Sequence, residues 1–510
     1  MTRQEQISYL GEKAKISEFN GEKNFLSYFI IPVPHKFYEK RKPLEDVKKS
    51  GWKILNLKSE ENNQKRIFDF NKDLKKYIYE GLIPKKTEKE FKKEKNNIVL
   101  QKKIYNDIYE VEIRKDKYVK VILDEIDLWI LEKNIAFFVI KFKLPRIYNY
   151  LSGKLFNWKV NVEVNLNELA IVNRILRDFR NVNINKNKIT SCRNGESNFI
   201  DWLIDLTKVD NKSFLNIKKQ DFEKEEFYPI YNSTHYSKLL TAVHVTVDDD
   251  ILHKIEPPTQ AELKKIEIDG TDTIEEMPFL LASTSDCYPI KMWESNENYI
   301  NEMVNKGGIN IWKYWSGIAL KDSLAFFSVN EGGGMIVSSC KGVNYFIYIL
   351  NLYINYRIKL LEHSLIMDQY FVDIEKNLKN LEEVQRLHNM YMSEEIAIRF
   401  QPNEIHQAIM RGMELKELFN EVEENIKNTY ERSKENTALI ISAFSFMIAI
   451  ISLLEDKIIE FIKIFYNTHP EIVIIVGILI LILIVFIIIK RKTLYKRLAE
   501  LKREFFRNVL

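Results

Sequence analysis

The chain has 510 residues, of which 45% are apolar and 29% are charged, a composition that is typical of a folded protein and excludes a wholly disordered one. The 76 basic and 72 acidic residues leave a net charge of only +4, so charge gives no sign of a nucleic-acid partner, and we expect no direct nucleic-acid binding. The cysteines Cys192, Cys287 and Cys340 are isolated, which gives no support to a zinc site or a disulfide framework.

The first 340 residues alternate short apolar runs with turn signals, a pattern typical of a mixed α/β domain. Asn165 followed by Glu168 is a capping-box signature and predicts a helix that runs to Phe179. Three closely spaced runs predict an antiparallel meander between 118 and 142. We predict that residues 1–340 form a cytoplasmic, ligand-sensing domain. The predicted strands are 27–31, 52–57, 118–123, 127–131, 135–142, 241–247 and 279–283.

Two short segments of this domain are candidates for ligand binding. Trp312 and Trp315 are close enough in sequence to stack a nucleobase together, although aromatic side chains more often pack in a core. The turn of Gly332, Gly333 and Gly334 could bring backbone amides to a phosphate, although a plain hairpin turn is the commoner outcome. We predict these five residues as the ligand-binding residues.

A metal site is a further candidate, because His244 is followed by three acids at 248–250 and imidazole and carboxylates suit divalent ions. A solvated acidic turn after a strand is the more common explanation for such a run. No P-loop, dinucleotide-binding, metalloprotease, serine hydrolase or kinase motif occurs in the sequence. We therefore predict that the protein is not an enzyme.

Beyond the α/β domain the pattern becomes helical. Leu and Ile recur with heptad-like spacing in two helices that precede Pro402, and a long helix is predicted after it. The apolar segment 345–358 is interrupted by Asn351 and two further polar residues, so we interpret it as a buried packing segment and not as a membrane span. These helices predict a stalk over residues 341–436.

Two charge-free segments of 18 residues each, 437–454 and 472–489, follow the stalk. Eighteen helical residues extend roughly 27 Å, close to the thickness of a hydrocarbon core, so we predict a two-helix transmembrane domain over 437–489. The tail 490–510 carries eight Lys and Arg residues against two Glu, whereas the connector between the spans is acidic. The positive-inside rule then predicts a multi-pass protein of the inner (plasma) membrane, with both termini cytoplasmic.

Small and hydroxylated residues recur every three or four positions along the first predicted span, so they share one side of a helix, and acids continue the line at both ends. Several copies around an axis would place hydroxyls in a channel and carboxylates at its mouths, which favours cations. The alternative is close helix packing through small residues, in which the acids would repel each other. The predicted pore-lining residues are Glu431, Glu435, Ala438, Ser442, Ser445, Ala449, Ser452 and Asp456.

The predicted helices, stalk and two spans of about the last 170 residues resemble the CorA family of two-span cation transporters. His469, Pro470 and Glu471 are similar to that family's Met-Pro-Glu, and the basic run 490–492 is similar to its basic finish. At 453–456 the chain has Leu-Leu-Glu-Asp where the family has its Gly-Met-Asn signature. The resemblance therefore does not extend to the family's selectivity for magnesium. The resemblance implies a homopentamer with an axial pore.

The large domain before the stalk resembles a divergent branch, the CorA-like membrane effectors found beside type III CRISPR systems. The expected fold class is therefore an α/β cytoplasmic domain of the CorA-like α/β/α type, a long helical stalk and two C-terminal transmembrane helices. The resemblance implies an antiviral effector whose cation pore is gated by a nucleotide messenger, a conjugate of S-adenosylmethionine with AMP. The partners it implies are the lipid bilayer, other copies of the chain and that activator. The alternatives are a constitutive transporter of divalent cations such as Mg²⁺, and a membrane-tethered binding or toxin protein without a pore.

Overall fold

The structure is a computed structural model, which describes part of the chain. The described residues are 15–16, 24–33, 51–54, 98–131, 136–145, 164–178, 182–191, 197–206, 208–209, 212–213, 240–247, 272–283, 297–312, 315–329, 336, 340, 343–368, 374–391, 395–453 and 463.

Strands dominate the first two thirds of the described chain. They are β1 (Lys15–Ile16), β2 (Phe25–Val33), β3 (Lys53–Ile54), β4 (Ile98–Arg114), β5 (Lys117–Ile130), β6 (Ala136–Lys143), β7 (Val164–Asn165), β8 (Val182–Asn185), β9 (Lys188–Ser191), β10 (Lys208–Val209), β11 (Lys212–Ser213), β12 (Leu240–Val247), β13 (Gly308–Trp312), β14 (Trp315–Leu320) and β15 (Ser323–Val329).

Eleven of these strands form one mixed sheet, in the order β13-β14-β15-β12-β2-β6-β5-β4-β9-β8, with β3 paired to β4. Most neighbouring strands are antiparallel, but β12 and β15 run parallel from the pair Thr241–Ser323 to the pair Val247–Val329. β4 and β9 are also parallel over a short stretch. Parallel neighbours require a crossover connection, and the chain between β12 and β15 supplies it.

The helices of the described residues lie between and after these strands. They are α1 (Leu166–Arg177), α2 (Phe199–Leu206), α3 (Asp272–Ser283), α4 (Glu297–Gly307), α5 (Val343–Asp368), α6 (Ile374–Tyr391), α7 (Phe400–Gly412) and α8 (Leu415–Leu453).

One face of the large sheet is covered by α1 and α3. Successive strand residues point to opposite faces, so Phe29, Val243 and Phe327 share this side and form part of the main apolar core. The hydroxyl of Ser27 donates a hydrogen bond of 2.7 Å to the Asn173 side chain of α1. The core of the molecule therefore lies between the sheet and these two helices.

The opposite face of the sheet contacts α5 and α7. The Tyr345 ring of α5 stacks on Tyr28 of β2, with ring centroids 4.6 Å apart. Gly412 of α7 lies so close to β14 that an added Cβ would sit 2.1 Å from the carbonyl oxygen of Ala319. The start of α5 and the end of α7 are thus fixed directly against the strands.

Several predicted elements are confirmed. The predicted strand 27–31 lies within β2, and β5 and β6 are antiparallel neighbours as the meander requires. The segments 118–123 and 127–131, which are predicted as separate strands, correspond to the single strand β5. The irregularity between Leu123 and Glu125 is a shift in register and not a turn. A bulge keeps the strand going where turn-forming residues suggest an end.

The predicted capping box is also present. The Glu168 backbone N–H donates to Asn165 Oδ1 at 2.9 Å, and the Asn165 backbone N–H donates to Glu168 Oε2 at 3.2 Å. Two otherwise orphan donors at the start of α1 are thereby satisfied. The helix ends at Arg177, two residues before the predicted end.

Two predicted elements are wrong. Residues 279–283 belong to helix α3 and not to a strand, because a short apolar run buried on all sides fits either element. Pro402 lies in the first turn of α7, where proline is tolerated, and the long helix predicted after it breaks at Met413 and Glu414. Glu414 has a left-handed backbone with φ 56°, which ends α7 and lets α8 begin anew.

The predicted fold class, an α/β/α domain with a stalk and two transmembrane helices, is wrong. The described residues form a large mixed sheet of eleven strands with its helices. Across the part of the chain that the structure describes, none of the helices has the length and the apolarity that crossing a membrane requires. The charge-free run up to residue 453 is the end of α8, a 39-residue helix whose first half is rich in Lys and Glu. The second predicted span, 472–489, lies outside the described residues.

The chain divides into two compact units. The first comprises 1–357 and 388–417 and contains the large sheet. The second comprises 358–387 and 418–510, and its described residues are helical.

Candidate functional site at the carboxyl ends of β12 and β15

The parallel pair β12 and β15 creates a distinctive edge in the sheet of the first unit. Because the strands run in the same direction, Thr246 and Ser328 are paired residues near the carboxyl end of each. Trp315, the first residue of the antiparallel β14, is paired with Ser328 on the other side. Ligands of open α/β sheets bind outside the carboxyl ends of parallel strands, so this edge is the candidate functional site.

A buried cluster of three polar side chains, His244, Thr246 and Ser328, marks the edge. His244 Nε2 lies 3.0 Å from Ser328 Oγ and 3.0 Å from Thr246 Oγ1, and the two hydroxyl oxygens are 2.7 Å apart. All three residues are buried. The cluster arises because positions two apart in β12 share a face and the parallel register places Ser328 beside them.

The charge state of the imidazole follows from its burial. Desolvation lowers the pKa of His244 to about 3, so the ring is neutral at physiological pH. Its Nε2 faces both hydroxyls, while Nδ1 has no hydrogen-bond partner among the described residues. Leaving a buried ring nitrogen unpaired costs about 1–3 kcal/mol. A polar atom of a ligand could satisfy this nitrogen.

The same geometry argues against a catalytic serine in the cluster. A serine nucleophile needs a histidine that is oriented by a third group. Here no described residue bonds to His244 Nδ1, so no such orienting group is present among them. The cluster offers neutral hydrogen-bonding groups and not an activated nucleophile.

Trp312 and Trp315, two of the predicted ligand-binding residues, are paired residues of β13 and β14. The Trp315 ring packs edge-on against Phe326, with ring centroids 5.9 Å apart. Trp315 is buried. The other predicted ligand-binding residues, Gly332, Gly333 and Gly334, lie outside the described residues. The structure thus joins Trp315 to the polar cluster through Ser328.

The metal hypothesis gains no support from the described residues. Within them, no three His, Cys, Asp or Glu side chains come together as a metal site would require. His244 is bonded to hydroxyls, and the acids at 248–250 lie outside the described residues.

Sequence reasoning missed Thr246 and Ser328. The signal that could have found them is a hydroxyl residue at the next-to-last position of both strands. Only the register of β12 with β15 shows that the two hydroxyls meet.

The predicted pore-lining residues lie on α8. Those from Glu431 to Ser452 are exposed, and Asp456 lies outside the described residues. Large apolar side chains of the same segment are exposed as well, including Ile441, Phe446 and Ile448. Exposure therefore does not set the serine-bearing side of the helix apart from its apolar sides. Earlier in α8, four apolar residues spaced three or four apart are buried: Leu415, Phe419, Val422 and Ile426.

No family model, no curated protein and no solved structure matches the chain.

Proposed function

We propose that the protein is a ligand-responsive membrane effector. The first unit binds a nucleotide-derived messenger at the carboxyl ends of β12 and β15, and the C-terminal part of α8 acts on a lipid bilayer and raises its permeability to cations. The observation that carries the proposal is the polar cluster of His244, Thr246 and Ser328 beside Trp315, with one ring nitrogen left unpaired.

The chemistry of this cluster favours the uncharged part of such a ligand. Neutral imidazole and hydroxyl groups can both donate and accept hydrogen bonds, as the edge of a nucleobase or the hydroxyls of a ribose require. The indole of Trp315 adds an aromatic surface of the kind that binds a heterocycle. A purine nucleoside matches both features, because it combines a flat ring with ring nitrogens and hydroxyls.

The second part of the proposal is supported by the exposed apolar surface at the end of α8. Phe446 is 67% exposed, Ile448 63% and Leu453 84%. Exposed apolar side chains of this size mark an interaction site, since transfer of apolar surface from water is favourable by about 25 cal/mol per Å². The charge-free sequence 472–489 extends the apolar character of this end of the chain. Contact with lipid would remove these side chains from water.

The ligand half is tested by thermal unfolding of the full chain with S-adenosylmethionine, AMP and their synthetic conjugate. A ligand at 100 times its Kd stabilises the native state by about 2.7 kcal/mol, which raises the Tm measurably. Ser328→Ala should abolish the shift. The matched control is Ser316→Ala, because this buried serine lies on the neighbouring strand and faces the opposite side of the sheet. An equal Tm shift in both variants, or no shift with any of the three compounds, would remove the ligand half.

The membrane half is tested by cation release from liposomes of anionic and zwitterionic lipid that carry the purified chain. We expect release that depends on the activating compound and that falls in the double variant Ser442→Leu, Ser445→Leu. Release without any nucleotide, controlled by Mg²⁺ alone, would favour the constitutive transporter instead. A chain that does not float with liposomes but self-associates would place the apolar surface of α8 in an interface between copies.

A further inference from the structure

Asp127 occupies an unusual position under the first turn of α5. It lies on β5, and its carboxylate is almost fully buried at 5% exposure. Gln101 Nε2 of β4 donates to Asp127 Oδ1 at 3.0 Å, and the Tyr345 hydroxyl of α5 donates to Oδ2 at 3.4 Å. Both donors are neutral, so no hydrogen-bonding partner that the structure shows for this carboxylate carries a positive charge.

The lysine whose charge acts on Asp127 is already paired with other carboxylates. Lys141 of β6 lies 2.8 Å from Asp124 Oδ2 and 2.7 Å from Glu125 Oε1. Lys143 pairs with Asp124 as well. Two further titratable groups of the described residues lie near the site, the Tyr28 and Cys340 side chains, and burial keeps both neutral by raising the pKa of each. Glu125 therefore faces Asp127 as a second negative charge.

This environment penalises the ionised form of Asp127. Desolvation, followed by repulsion from Glu125, raises the pKa of Asp127 to about 7, against the weaker opposing effects of Gln101, Lys141 and Tyr345. The buried carboxyl thus holds a proton up to neutral pH, unlike an ordinary aspartate.

The group that meets Asp127 from α5 is itself tightly fixed. Tyr345 stacks on Tyr28 with an interplanar angle of 15°, and its ring meets Trp129 edge-on at 5.7 Å. Trp129 Nε1 donates to the Tyr345 hydroxyl at 2.8 Å. Because Tyr28 and Trp129 hold the side chain in place, Tyr345 can move away from Asp127 only together with the first turns of α5.

We propose that the proton on Asp127 acts as a latch for the start of α5. When the carboxyl is protonated, the first turns of α5 pack against β2 and β5. When it is ionised, the cost of keeping a desolvated negative charge beside Glu125 outweighs the hydrogen bond from Tyr345, so the first turns of α5 move away and admit water. The latch makes the packing of α5 depend on pH near neutrality, and it does not depend on the proposed ligand or on contact with a membrane.

Hydrogen exchange of the full chain tests the latch. The opening of residues 343–352 should increase about tenfold between pH 6 and pH 8, after correction for intrinsic exchange, since the closed state holds a proton that the open state releases. Asp127→Asn should remove this pH dependence and keep the segment closed at both pH values. The matched control is Asp205→Asn, which removes an exposed acid of α2 and should change nothing.

A second measurement decides the matter if Asp127→Asn does not fold. In the unaltered chain, NMR can follow the chemical shift of the Asp127 carboxyl carbon as the pH is varied. We expect this chemical shift to change with a midpoint near pH 7. Titration near pH 4, or a tenfold increase in opening that persists in Asp127→Asn, would overturn the latch.

Discussion

Asn351 of α5 and His406 of α7 join inside the first unit, where Asn351 Nδ2 lies 3.0 Å from His406 Nδ1. Both side chains are fully buried. Asn351 Nδ2 also donates to the carbonyl oxygen of Ile347 at 2.8 Å. This buried polar contact thus joins two helices through residues that are 55 positions apart in sequence.

We expect Asn351→Ala to lower the free energy of unfolding by about 1–3 kcal/mol, because it leaves His406 Nδ1 without this partner. Replacing both residues with leucine should lower the free energy of unfolding by less than the sum of the losses in Asn351→Leu and His406→Leu. The reason is that the double variant leaves no polar atom of this pair unsatisfied. Urea denaturation of the four members of this double-mutant cycle measures the coupling. Additive single effects would show that the contact contributes nothing. Asn425→Ala, an exposed asparagine of α8, is the control.

The close approach of Gly412 to β14 predicts an inverted response to alanine. Gly to Ala within a helix normally stabilises by about 0.5–1 kcal/mol. At Gly412 the new Cβ would meet the Ala319 carbonyl oxygen at 2.1 Å, and backbone atoms cannot yield as a flexible side chain does. We expect a loss of about 1–3 kcal/mol in urea denaturation. Glu404→Ala in the same helix is exposed and should change stability by no more than about 0.5 kcal/mol.

Local sequence signals predicted the parts of the fold that local interactions decide. The capping box at Asn165 needs only residues three apart, and the apolar pattern of 27–31 fixes β2 by itself. The segment 345–358 was predicted as buried packing, and Tyr348 and Asn351 are indeed buried within α5.

Elements that depend on contacts with distant parts of the chain could not be predicted from local sequence patterns. The 17-residue strand β4 went unpredicted, because its apolar residues are interleaved with Lys102, Lys103 and Glu110 and its stability comes from pairing with β5. In the same way, the candidate site is made by the parallel register of β12 with β15. No local pattern shows that Thr246 and Ser328 meet, since 82 residues separate them.

The break between α7 and α8 provides a third test. Glu414 combines a left-handed backbone with an ion pair of 2.5 Å to Lys306, whose carbonyl oxygen accepts from Arg411 Nε at 3.0 Å. Glu414→Gly should be within about 0.5 kcal/mol of the unaltered chain, because loss of a half-exposed ion pair is offset by relief of the backbone. Glu414→Val should cost about 2 kcal/mol, since a β-branched residue resists this conformation. Equal stability of the two variants in urea would exclude backbone strain at this break.

The buried imidazole of the candidate site predicts a loss of stability in acid. His244 has a pKa of about 3 in the folded chain and an ordinary value near 6.5 when unfolded, so below pH 6.5 the unfolded state takes up a proton that the folded state refuses. Its contribution is fully present above pH 6.5 and is lost as the pH falls towards 3, by about 3 kcal/mol at pH 4. His244→Asn should flatten this part of the stability curve measured by urea denaturation between pH 7 and pH 4. An unaltered slope in His244→Asn would show that the ring is protonated in the folded chain.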